Sequence, residues 1–133
     1  MISDDTVVFV LLLHVYSVHD WACTILMEGA NADHTVVDIT ATTMKHQTIV
    51  PQLLAAHALS GCDTVARLTG IGKATVVKQL TKGYRLDNLG CIDAGMDDVI
   101  KETSTFIASC YGKSTHVDMS RVRYDVWLAK MGK

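Results

Sequence analysis

Leu68-Thr69-Gly70-Ile71-Gly72-Lys73-Ala74, followed by the apolar Val76, Val77 and Leu80, is the stretch on which the reading of this chain depends. An apolar residue leads into two glycines that bracket an isoleucine, and a small alanine opens a new apolar series. Glycine takes backbone conformations that a Cβ forbids, so Gly70 and Gly72 permit a tight turn and expose its amides. At the N-terminus of a helix such amides form an anion site, and Lys73 adds a positive charge at its mouth.

The pattern has the form of a helix-hairpin-helix over 64–82. A short helix is expected at 64–69, the turn at 70–72, and a second helix at 73–82 that Gly83 stops. An ordinary αα-turn closed by glycine has the same local signature. Charge separates the two readings. Arg67, Lys73, Lys78, Lys82 and Arg85 follow one another with no Asp or Glu between them. Such a window suits sequence-independent contact with a nucleic-acid backbone, through Gly70, Ile71, Gly72, Lys73 and Lys78.

Immediately upstream stands Gly61-Cys62-Asp63-Thr64. An Asp just after a helix-ending glycine can project into a site, or it can cap the helix expected at 64–69. Asp4 and Asp5, at the start of the chain, pose the same choice before an apolar run over 6–16 that is long for a strand and reads as a helix. Carboxylates at element ends are what hard cations such as Mg²⁺ or Mn²⁺ require, because they supply oxygen ligands.

Between these points the periodicity gives two strands, at 23–28 and 34–39, joined by a turn over Gly29-Ala30-Asn31-Ala32-Asp33. A short helix follows at 40–47. Another is expected at 52–59, opened by Pro51 and closed by Ser60-Gly61. Beyond the hairpin, 96–111 is the clearest amphipathic helix. Val99, Ile100, Thr103, Phe106, Ile107 and Cys110 share one face, Asp97 and Asp98 fall in its first turn, and Gly112 ends it. A last helix is expected at 119–130, with Val122, Val126 and Ala129 inward. The fold class is α/β and mostly helical.

Composition sets the outer bounds. The 133 residues are 49% hydrophobic and 20% charged, with a formal net charge of −2, a globular balance that bulk electrostatics do not assign to nucleic acid. A mean hydropathy of +0.23 implies surface that expects cover, from further chain or by self-association through the apolar first helix. That apolar run is too short to span a bilayer and lacks basic residues ahead of it, so an intracellular, non-membrane protein is expected. The four cysteines form no CxxC pair and read as buried free thiols. Trp21 and Trp127 read as core. His57 reads as a core histidine or as support for Asp63, and the remaining histidines are scattered. With a single proline and no low-complexity stretch, nothing marks a linker, and the chain is treated as one domain.

At its acidic and glycine-bearing segments the sequence resembles a known family. Ser3-Asp4-Asp5-Thr6-Val7-Val8-Phe9-Val10-Leu11-Leu12-Leu13-His14 is similar to an "S-x-DTDV-x-VLLLHH" segment, and Ala55-Ala56-His57-Ala58-Leu59-Ser60-Gly61-Cys62-Asp63-Thr64 to an "AAHALTGCDT" segment. Both belong to PIN-like, flap-endonuclease (XPG-type) proteins of transposon-associated animal families. The resemblance implies the C-terminal part of a PIN-like domain, with two remaining strands, a helix-hairpin-helix and C-terminal helices. It implies a two-metal phosphodiesterase site in which Asp5 and Asp63 are catalytic and bind Mg²⁺ or Mn²⁺ with Asp4 beside them. The Gly70–Lys73 turn would then hold DNA backbone. The sequence departs from the pattern at Val7, which stands where the second aspartate belongs, and the family's upstream "EEAD"-like acidic cluster has no counterpart. Weak or absent cleavage is therefore expected, leaving a non-enzymatic DNA-binding module or an interaction fragment as the alternatives.

Overall fold

The computed structural model describes residues 1–3, 5–113 and 118–132. Asp4 and His116 lie outside them. Contacts cluster into two compact units, Met1–Val65 and Ala66–Lys133, although no linker composition separates them. The α/β class is as expected, with six helices and a two-stranded antiparallel sheet among the described residues.

In the first unit, α1 (Thr6–His19) begins at Asp5, whose carboxylate accepts a hydrogen bond from the Val7 amide. With Val10 and Leu13 buried and no acid in its first turn, α1 owes its position to packing against α2 (Ile39–Lys45) and α3 (Val50–Leu59). The strands are shorter than expected. β1 (Leu26–Glu28) pairs antiparallel with β2 (Val36–Asp38) in the register Leu26–Asp38, Met27–Val37, Glu28–Val36. On the other side of β1, Ile2 bridges Glu28 in parallel, with Ser3 N–H donating to the Glu28 carbonyl and Glu28 N–H to the Met1 carbonyl. An extended segment, a helix and a parallel partner thus follow in order, the connectivity of a βαβ unit. Asp38 closes β2 and caps α2 by accepting from the Ala41 amide at 2.9 Å. Leu13, Met27, Ile39 and Val50 form the core of this unit.

In the second unit, α4 (Lys73–Thr81) packs on α5 (Met96–Cys110), and α5 packs on α6 (Met119–Met131). Ile71, Val76, Leu80, Leu86, Phe106, Ala108 and Val122 are its buried apolar residues. The loop between α4 and α5 is tied to α5 by Asn88, whose backbone N–H and side-chain amide donate to the two Glu102 carboxylate oxygens, each at 2.9 Å.

Several expectations are corrected. The helix at 64–69 is absent, because Cys62 and Val65 exchange backbone hydrogen bonds of 3.0 and 3.2 Å around a tight turn, and 66–68 runs on without helical bonding. Ile100, expected on the covered face of α5, is 55% exposed; Phe106 of that face is buried as expected, and Ala108 and Ser109 are buried as well. On α6, Val122 is buried as expected but Ala129 is exposed. The thiols are free but not buried: Cys23 and Cys91 are exposed, and Cys62 and Cys110 half-buried. Trp21 and Trp127, at 40% and 54% exposure, are surface residues rather than core. No helix among the described residues is long and apolar enough to cross a membrane.

Candidate nucleic-acid interface

The hairpin is built from its turn outward. Ile71 N–H donates to the Leu68 carbonyl at 3.1 Å, closing a four-residue turn whose third residue is Gly70. Its φ of +79° is the left-handed conformation that such turns give to glycine. Ile71, expected at the interface, instead points inward and is 8% exposed; it anchors the turn in the core. Gly72 follows at φ −98°, ψ 165° as the N-cap of α4, extended backbone that any residue adopts. Only Gly70, then, needs to be glycine for its conformation. A Cβ at either position would meet nothing within 4 Å, so the outer side of the turn is open.

Helix α4 has no capping side chain and no acid in its first turn. The missing cap, which α3 shares, sets it apart from α1, α2 and α6, whose N-caps Asp5, Asp38 and Asp118 each accept from a first-turn amide. Of its first amides, that of Thr75 turns back to the Gly72 carbonyl at 3.1 Å, so this end offers an anion the Ala74 amide and the positive end of the dipole. Lys73, Lys78 and Lys82 are exposed. Their spacing divides them: Lys78 and Lys82, four apart, share a side of the helix, whereas Lys73 lies about 140° round from Lys78. Arg85 is drawn away from the basic window by Asp87, which its guanidinium meets at 3.1 and 3.0 Å. The hydrogen bond to Asp87 and its charge hold the Arg85 pKa above its ordinary value.

Arg67 turns instead toward a groove of the second unit, about 480 Å³ in volume, that also takes in Thr69, Tyr111, Arg123, Trp127 and Lys130. The Tyr111 hydroxyl donates to the Thr69 carbonyl at 2.9 Å, tying the lead-in of the hairpin to the end of α5. Burial raises the Tyr111 pKa, the neighbouring Cys110 adds to the rise, and Arg123 offsets part of it. The sequence reading missed this groove because it assigned Trp127 to the core. The signal was present in the spacing of Met119, Val122, Arg123, Val126, Trp127 and Lys130, one face of a helix at i+3 and i+4 steps.

The carboxylates expected to hold metal are placed as follows. Asp5 lines a cleft of about 250 Å³ with Ser3, Asn31 and Thr35 among its neighbours. Its backbone N–H donates to the Ser3 hydroxyl at 3.1 Å, and one carboxylate oxygen is taken by the Val7 amide at 2.8 Å. Asp63 is exposed at the tip of the 62–65 turn and is not among the residues lining the Asp5 cleft. With no helix at 64–69, it caps none. Among the described residues no three His, Cys, Asp or Glu side chains gather as a metal-binding group. The described donors therefore do not fit a two-metal site, and no reaction step is derived through one. Comparison with protein families, curated proteins and solved structures gives no match.

Proposed function

We propose that this chain is a nucleic-acid-backbone-binding module related to the PIN-like, flap-endonuclease-type nucleases, with weak or absent cleavage of its own. The observation that carries the reading is the start of α4. A glycine-bearing turn open on its outer side leads into a helix end that lacks a capping side chain or acid, within a run of basic residues that no acid interrupts from Arg67 to Arg85. Backbone amides and a helix dipole favour a phosphate oxygen without reference to base identity. The order of extended segment, α1 and parallel β1 agrees with a PIN-like relationship, as does the position of Asp5 at the head of α1. An intracellular setting, nuclear or cytoplasmic, goes with such a partner.

The Mg²⁺ or Mn²⁺ of the nuclease reading would depend on Asp5 and Asp63, with Asp4 outside the described residues. One oxygen of Asp5 is already committed to the Val7 amide, so such an ion is weakly held. Incubating the purified chain with Mg²⁺ or Mn²⁺ and flap or single-stranded DNA tests this. Little or no cleavage above a metal-free control is expected, and any trace is expected to vanish in Asp63→Ala. Vigorous cleavage that survives Asp63→Ala would place the chemistry elsewhere. Self-association through α1 is the second reading, and Leu11 and Val18, exposed on that helix, favour it; a dimer in solution that dissociates on Leu11→Glu would support it.

A further inference from the structure

The face of α6 that lines the groove combines two chemistries. Its floor is apolar, with Val122 fully buried. Its rim carries the Trp127 ring, more than half exposed, and the cations Arg123 and Lys130, faced by Arg67 from the hairpin lead-in. Among the described residues no Asp or Glu lines it, and none of the three cations pairs with a carboxylate. The nearest acid on the helix, Asp125, is held by Arg121 at 3.4 Å on another side. Tyr124 lies beside Trp127, with ring centroids 6.2 Å apart and planes tilted by 30°, and the indole keeps more than half of its surface exposed to a ligand.

A flat apolar ring beside unpaired cations fits a ligand that is aromatic and anionic at once. We infer that this groove receives an unpaired nucleobase stacked on Trp127, with its flanking phosphate held by Arg123 and Lys130. It is a single-strand subsite next to the backbone-binding turn. The inference rests on nucleic acid being the partner, and it sharpens that reading: residues 67–69 line the groove and continue directly into the Gly70 turn, so one strand can meet both. The volume of about 480 Å³ lies within the range of small-ligand sites, and stacking on an aromatic side chain tolerates any base. An acidic peptide would satisfy the cations but would leave the ring unused.

The test uses the whole chain with Trp21→Phe, so that Trp127 alone reports. Oligothymidylate is expected to quench its fluorescence. By anisotropy of a labelled oligomer, Trp127→Leu is expected to weaken single-strand binding by about five- to a hundredfold, the range for losing one stacked base. Arg123→Glu is expected to weaken it as well, with thermal melting as in the parent, while Trp127→Leu leaves duplex binding unchanged. Single-strand affinity unchanged in both variants overturns the inference, as does equal quenching by polyglutamate. Failure of the parent to bind duplex DNA, with oligothymidylate quenching intact, would defeat the backbone reading and leave this subsite standing.

Discussion

Gly70 and Gly72 look interchangeable in the sequence, yet the backbone asks different things of them. Gly70 sits at φ +79°, where an L side chain is strained whatever the space around it. Gly72 sits in an extended conformation that admits any residue. Gly70→Ala is accordingly expected to destabilise the second unit by about 1–2 kcal/mol, whereas Gly72→Ser, at an N-cap position that takes serine about as well as glycine, should change stability by less than about 0.5 kcal/mol. Urea denaturation followed by circular dichroism separates them; equal costs would mean that the turn is not as described. Spacing identified both glycines, but the conformation of each depends on which carbonyl the Ile71 amide meets, and composition does not carry that. The burial of Ile71 escaped the sequence for the same reason: a residue flanked by glycines reads as loop until the turn points it inward.

Among the elements, helices with a cap or a stop signal were legible. Asp5 ahead of α1, Pro51 at the start of α3, and Gly83 and Gly112 after α4 and α5 mark boundaries that chain-local chemistry sets, and the helices lie within a few residues of where these signals put them. The helix at 64–69 was not legible. Its residues tolerate helix, but the reciprocal Cys62–Val65 hydrogen bonds close a turn that competes with it. The faces of α5 and α6 were legible only in part, because which side of an amphipathic helix is covered depends on neighbours far along the chain. Asp5 raises a sharper question, since the same carboxylate serves as the cap of α1 and as a candidate metal ligand. Asp5→Asn retains an acceptor for the Val7 amide and should leave stability within a few tenths of a kcal/mol. Asp5→Ala should cost about 1 kcal/mol. A Mn²⁺ titration of the two variants then isolates the charge: loss of metal affinity in Asp5→Asn with stability intact would assign Asp5 a ligand role beyond capping.

At the scale of the molecule, two compact units divide the candidate chemistry. The first unit holds Asp5 in a cleft and Asp63 on an exposed turn; the second holds the hairpin and the aromatic, basic groove. The net charge of −2 hides the second unit's basic character, which showed in the sequence only as the acid-free window from Arg67 to Arg85. The contribution of α6 to that character was not visible, because Arg123 and Lys130 alternate along the chain with the acids and apolar residues of other helix faces. The proposed function requires that the open end of α4 receive a phosphate. The most direct measurement is duplex-DNA affinity across a range of salt for the parent and Gly72→Asp. The extended backbone at 72 suits an aspartate N-cap, so the variant should melt no lower than the parent while its own carboxylate occupies the anion site. Parent affinity is expected to fall with salt, and Gly72→Asp to bind at least about tenfold more weakly with a shallower salt slope. Equal affinity and equal slope in a variant that folds normally would contradict the proposed function.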